Sequence, residues 1–288
     1  MLKLLRADLS RCIINRFFIA AVVAYAVVGM MLPIEMCINN PNKLPIGAIG
    51  GASNIFSFNY RMLSIPIQGI LIAISICINI GNEFRSGAIR NKLIIGHTRR
   101  NVYFSHLLTS MCAAMCFNIG YLITFLIVTL PICGTSGIDT TQILLTLICG
   151  SLMMLSYASI ATFIAMSVKS KSASAIICSM LLFLAIFIIP IIVHKAYEGE
   201  YIIENIFDSA GNFLYSNKMP NPHLLSKSTR EFLRLIADIL PSGQSYRLGM
   251  GSSVSDAPRY WQMAVSSLGV IGVSAVSGIA IFSKRNLK

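Results

Sequence analysis

The sequence predicts an all-α polytopic membrane protein with six transmembrane helices, and three observations carry that prediction. Of its 288 residues 55 % are hydrophobic and only 12 % charged, with a mean hydropathy of +0.73, whereas soluble domains carry roughly 25 % charged residues. Six apolar stretches run from Phe17 to Ile34, Met62 to Ile80, Tyr103 to Ile132, Gln142 to Val168, Ala173 to Val193 and Tyr260 to Phe282. Each supplies the ~18 residues with which a helix crosses ~30 Å of hydrocarbon. The third observation is where the charges fall.

With both termini placed inside, the inner side holds Lys3, Arg6, Arg11, Arg16, Arg85, Arg90, Lys92, Arg99, Arg100, Lys169, Lys171, Lys284, Arg285 and Lys288 against only Asp8 and Glu83. Fourteen basic residues less two acidic ones give +12, the formal charge of the whole chain, and the outer side sums to zero. Cytoplasmic loops retain lysine and arginine near the membrane, so this partition fixes the expected topology. It also accounts for a basic protein without nucleic acid, since the cations flank spans in short clusters and no recognition motif accompanies them.

In chain order, residues 1–16 are expected to form an interfacial elbow helix, because Leu2, Leu5, Leu9 and Ile13 recur at spacings of three and four while Lys3, Asp8 and Arg11 lie elsewhere. The apolar run that follows is too long for a signal core and is read as span one. Prolines, asparagines and glycines between Glu35 and Arg61 make that segment an irregular outer loop. Cys133 to Thr141 is a short outer link, and Lys169 to Ser172 a tight inner turn. The segment 194–259 is long, polar and charge-balanced, and is expected to be folded: Ser228 and Glu231 have capping-box spacing, Phe232, Leu235, Ile236, Ile239 and Leu240 form an apolar stripe, and Pro241 stops the helix. In span six, Ser274 and Gly278 have the small-xxx-small spacing of a packing face.

Chemistry of the chain's own is hard to find. The spans carry no acidic residue at depth, so a proton relay has no carrier. No His-Glu-x-x-His, Gly-x-Ser-x-Gly or Walker A pattern occurs, and His97, His106, His194 and His223 are scattered. Cys112 and Cys116, beside Met111 and Met115, read as helix packing rather than a soft-metal site. Cys37 and Cys133 are the two cysteines near the outer face, where one bridge is conceivable. The expectation is no catalytic residue, no metal and no cofactor bound by this chain.

The basic segment 82–97 between spans two and three is the informative part. Asn82 can cap a short helix, Glu83 suits its first turn, Phe84, Ala88, Ile89 and Leu93 offer an apolar face, Gly96 suits its end, and Thr98 can cap the next helix. At Glu83, Gly87, Ile89, Leu93, Gly96, Thr98 and Arg99 the chain resembles the six-span, ABC-2 type permease subunits of ABC transporters. There an acidic residue after span two is followed by a glycine four later, aliphatics, and Gly-x-Ser/Thr-Arg before span three. The likeness extends over 1–288 as a single transmembrane domain, and Leu240-Pro241-Ser242-Gly243-Gln244 looks like a turn seen there before the last span.

The resemblance implies an exporter permease in a cell membrane, of the bacterial plasma-membrane kind, pairing with an identical or related permease and with cytoplasmic ATPase subunits that bind ATP and Mg. The cargo it suggests is a peptide, a lipid-like molecule or an amphipathic antimicrobial compound. The ATPase-coupling residues would be Glu83, Phe84, Gly87, Ile89, Arg90, Leu93, Gly96, Thr98 and Arg99. A path between paired second and fifth spans would be lined by Ser64, Gln68, Ser75, Asn79, Ser174, Cys178 and Phe183. Two other readings compete: a sensor or scaffold that recruits a cytoplasmic partner without transport, and an intramembrane enzyme, for which the spans offer no chemistry.

Overall fold

The computed structural model describes residues 2–39, 67–133, 140–168, 170–207, 213–250 and 259–284. Helices α1 (Leu2–Ile14), α2 (Arg16–Asn39), α3 (Ile67–Arg85), α4 (Ala88–Ile94), α5 (Arg99–Cys133), α6 (Thr140–Val168) and α7 (Lys171–Ala196) come first. A hairpin of β1 (Tyr201–Phe207) and β2 (Phe213–Pro220) follows, then α8 (Lys227–Ile239), α9 (Pro241–Met250) and α10 (Tyr260–Lys284). Four helices, α5, α6, α7 and α10, are long and apolar enough to cross a membrane, and α1 with α2, bent by 64° at Asn15, makes a possible fifth span. Helix α3 is described only from Ile67, and its last turn spends its length on Asn82, Glu83 and Arg85.

The core is built from small and polar contacts as much as from bulk. Helix α10 lies on α6 and α5, where Ser156 Oγ donates to the Ser267 carbonyl (3.2 Å), Tyr103 Oη donates to the Ser274 carbonyl (3.2 Å) and the Ser159 and Ser274 hydroxyls bond each other. A Cβ on Gly278 would overlap the Tyr103 side chain, while one on Gly269 or Gly272 would meet nothing within 4 Å. The packing face expected at Ser274 and Gly278 is therefore real, and the other two glycines lie off it. Close approach through small residues suits a membrane interior, where burying apolar surface gives no advantage over lipid.

Helix α2 packs along α5 through an aromatic series. The Phe18 and Phe117 rings stand edge to face at 5.5 Å, Tyr25 lies 5.2 Å from Tyr121, and Tyr121 stacks on Phe125 at 6.0 Å. Helix α3 lies between α6 and α7; a Cβ on Gly81 would come within 2.6 Å of Lys171, so the end of α3 meets the start of α7 almost backbone to backbone.

The bundle has two chemically distinct ends. Arg99 Nη1 donates to the Phe282 and Ser283 carbonyls (3.2 and 3.1 Å), which joins the start of α5 to the end of α10. That end also carries α1, α4 and the α6–α7 turn, where Ser170 Oγ accepts from the Ala173 N–H. The basic residues of the expected inner side that are described, from Lys3 to Lys284, gather there. Helices α8 and α9 sit at the opposite end.

Several local expectations are corrected. The segment after α7 contains a two-stranded antiparallel hairpin, Tyr201 pairing with Pro220 and Ile203 with Lys218, an unforeseen element in a fold that is otherwise all-α; the run YIIENIF is rich in β-branched and aromatic residues. Helix α8 is capped by Ser226, which accepts from the Thr229 N–H at 3.2 Å, and not by Ser228. Pro241 does not merely stop α8. It opens α9 as that helix's first residue, where a missing N–H costs nothing, so the Leu240–Gln244 turn is a helix start. The span-one helix runs on to Asn39, past Glu35 where the outer loop was expected. The rest of that loop, Ser64 and Lys169 lie outside the described residues, as do the side chains of Cys37 and Cys133.

Candidate functional site

Helix α4 is too short to be stable by itself, and its ends show what holds it. Gly87 precedes it with φ 72°, a left-handed conformation that glycine adopts freely, and no side chain caps it. Asn82 and Glu83, expected to open this helix, instead close α3. At the other end Gly96 has φ 102°; its N–H bonds the Leu93 carbonyl and the His97 N–H bonds the Lys92 carbonyl, both at 3.1 Å. That is the Schellman arrangement. Thr98 then caps α5 as expected, Thr98 Oγ1 accepting from the Asn101 N–H at 3.3 Å.

Two positive-φ glycines thus turn α4 across the end of the bundle, one face in and one face out. Inward point Ile89, 1 % exposed, and Lys92, 7 % exposed, with Phe84 and Leu93 packed partly against the core. Arg90, Asn91, Ile94 and Ile95 are exposed, the two isoleucines by 72 % and 78 %, with Asn91 and Ile95 also lining the cavity that α4 forms with α1, α3 and α5. The apolar face read from the sequence as a docking surface is therefore mostly consumed within the chain, and the exposed apolar groups lie one turn further on.

Lys92 is the centre of a buried ionic cluster. Its Nζ donates to Asp8 Oδ1 on α1 at 2.7 Å and to Glu83 Oε2 on α3. Ser105 Oγ of α5 donates to the second oxygen of Asp8 at 2.6 Å. His106 Nε2 lies 3.4 Å from both Glu83 Oε2 and Lys92 Nζ, and Arg11 stands 3.9 Å from Glu83. Two carboxylates thus face two cations, which a buried pair requires. The cluster edges a cavity of about 580 Å³ between α1, α3, α4 and α5, bounded by Asn15, Asn79 and Thr109 among others.

None of Asp8, Arg11, Lys92, Ser105 and His106 was chosen as a site residue from the sequence. The signal was present: Asp8 and Glu83 are the lone acids of an otherwise basic side. Helix α1 packs on the chain by a face that the expected apolar stripe does not include. Leu4, Asp8 and Cys12 are buried at spacings of four, while Ile13 is exposed.

The other sequence-derived residues divide. Arg99 is spent on the end of α10, and Gly87, Gly96 and Thr98 shape the α4 turn. Of the path candidates, Gln68, Ser75, Ser174 and Cys178 are buried. Ser174 Oγ bonds back to the Ser170 carbonyl (2.8 Å), and the Cys178 sulfur lies 3.7 Å from that of Cys77 across the α3–α7 contact. Asn79 bonds Asn15 and the Cys12 sulfur, closing the α1–α3 junction. Among the described members of the set Phe183 alone is exposed, at 57 %, in an edge-to-face pair with Phe187 on the outer surface of α7. Between α3, α6 and α7 lies an apolar cavity of about 330 Å³, closed at one side by a 2.9 Å bond between Tyr157 and Ser242. Cys112 and Cys116 face out from α5 instead of packing between helices, and among the described residues no three His, Cys, Asp or Glu side chains gather to hold a metal.

Compared with protein-family models and with curated proteins, the chain matches none. The family reading rests on the chain's own residues.

Proposed function

We propose that this chain is the membrane subunit of an ATP-driven exporter of the ABC-2 type, worked by a separate ATPase through α4. The observation that carries the reading is the two-faced mounting of α4. Its inner face is bonded by Lys92 to α1 and α3 at once, and its outer tip presents Arg90, Ile94 and Ile95 to whatever lies beyond the membrane. A force on the tip cannot be absorbed by bending α4 alone. Moving Lys92 away from two buried carboxylates leaves them uncompensated, so α1, α3 and α5 move with it.

The remaining parts of the reading fit around this. The basic end of the bundle is cytoplasmic by the positive-inside rule, and α2 and α3 complete six spans. Helix α7 exposes Ile176, Met180, Leu184, Phe187 and Ile191, a face suited to lipid or to a second permease beside the α3–α7 pair. The cargo is amphipathic, as the apolar cavity with its Tyr157 and Ser242 hydroxyls at one side suggests. ATP and Mg belong to the partner, since the sequence contains no Walker A pattern.

The experiment is to purify the chain with its companions in mild detergent and measure ATP hydrolysis. An exporter shows hydrolysis that falls about tenfold when Ile94 and Ile95 are replaced by aspartate, each substitution costing a desolvated interface contact of ~1 kcal/mol or more. A recruiting scaffold shows no coupled hydrolysis.

A further inference from the structure

We infer that the cleft between α8 and α10 is a phospholipid site, in which Arg259 holds the phosphate and the apolar wall of the cleft receives an acyl chain. The inference rests on α10 crossing a membrane and not on the exporter reading. The cleft, about 450 Å³ in volume, combines two chemistries that a soluble ligand would not need together. Leu235 and Ile239 of α8 face Trp261 and Val265 of α10, and all four are exposed. Arg259 and Glu231 lie on the same cleft and are exposed as well.

The position matches the ligand. Helix α10 is long and apolar enough to span a membrane, and Trp261 stands in its first turn, 67 % exposed. An indole at a span end sits at headgroup depth. Arg259, two residues before it, is then level with the phosphate layer, and a guanidinium matches a phosphate with paired hydrogen bonds. The charged groups deeper in the cleft are already engaged. Arg234 donates to the Ala196 carbonyl (3.1 Å) and lies over the Tyr197 ring, and Asp238 faces Arg247 at 3.8 Å. Among the described residues no carboxylate lies within 4.0 Å of Arg259, although its charge reaches Asp238 on the same cleft, a carboxyl that already faces Arg247. The apolar stripe of α8, with Phe232 and Leu240 beside Leu235 and Ile239, continues the cleft's wall along the membrane surface. It would otherwise meet water.

Trp261 is the chain's single tryptophan, so the site reports on itself. The full chain is reconstituted in vesicles of a neutral glycosyl diacylglycerol with rising fractions of dibrominated phosphatidylcholine, and the fluorescence difference from Trp261→Phe protein is followed. A phosphate site saturates at low brominated fraction. Arg259→Gln shifts the midpoint up about tenfold, as expected for loss of a hydrogen bond between charged groups, and Arg230→Gln, which does not line the cleft, leaves it in place. The proposal is overturned if quenching follows the bulk brominated fraction in both proteins. It is equally overturned if Arg230→Gln shifts the midpoint as far as Arg259→Gln, or if Trp261 is not quenched because a second copy of the chain covers the cleft.

Discussion

The residue on which most depends is Lys92. With Asp8 buried and Glu83 partly buried, Lys92→Met leaves the Asp8 carboxylate without a cation and Glu83 facing only the exposed Arg11. Removing one partner of such a pair costs ~3–5 kcal/mol. The expected outcome is a large fall in thermal stability of the detergent-solubilised protein, partly restored by Asp8→Asn in the same chain; an unchanged melting temperature would mean that the cluster is not formed. A second residue gives a pH signature. Burial pushes the Asp238 carboxyl above its ordinary value of 3.8, against the lowering pull of Arg247, Arg259 and Arg234. The folded state therefore holds that proton more tightly than the unfolded one, so its stabilising contribution is complete at low pH. It is lost as pH rises from about 4 through the raised value. Asp238→Asn should flatten the thermal-stability profile across that window, and a slope identical to that of the parent would show that Asp238 does not titrate there. These two side chains also mark what the sequence conveys. Charge partition exposed Asp8 and Glu83 as exceptions, but only tertiary packing shows that Lys92, one of many basic residues on that side, is the one turned inward to meet them.

At the scale of elements, periodicity was legible where a helix meets a uniform medium and failed where it meets its own chain. Helices α5, α6, α7 and α10 lie within a few residues of their expected ends, and the amphipathic α8 is present. Helix α4 was foreseen as an element, yet its inner and outer faces were not, because its apolar face serves the core as well as an interface would. The α8 cap moved to Ser226, since Ser226, Ser228 and Thr229 all offer a hydroxyl and only the entry path of the chain selects one. Helix α9 was hidden by a proline that can end one helix or begin the next. Its contacts are specific: Gln244 Nε2 donates to the Asp238 and Met263 carbonyls (2.7 and 3.2 Å) and Gln244 Oε1 accepts from Ser267 Oγ (2.8 Å), pinning α8 to α10. A Cβ on Gly243 would overlap the Ala237 backbone. Gly243→Ala is thus expected to destabilise by more than the ordinary gain of replacing glycine in a helix, ~1 kcal/mol, since backbone cannot step aside. Equal or higher thermal stability of that variant would show that α8 and α9 are further apart. The α3–α7 contact has its own test. Mild oxidation should join Cys77 to Cys178 in one chain, read by mass spectrometry of thiol-blocked peptides, and failure of that pair to form would displace α7.

At the scale of the whole molecule, the basic end and the α8–α9 end are opposite ends of the helix bundle, and the exporter reading requires that α4 lie on the side where ATP is. Composition alone conveyed long apolar helices of membrane-crossing length, and the charge distribution supplies the expectation of which end is the inner one. Neither conveys what α4 touches, because Ile94 and Ile95 look like any two aliphatics of the sequence until the fold leaves them outside. The central claim is that a nucleotide-driven partner acts on this tip. The measurement that tests it most directly is ATP hydrolysis by the purified, reconstituted assembly, parent against Ile94→Asp/Ile95→Asp, with the folded state of each confirmed by thermal unfolding. The account predicts hydrolysis in the parent and a roughly tenfold loss in the variant at unchanged melting temperature. Hydrolysis that is absent from the parent, or equal in the two, would contradict it.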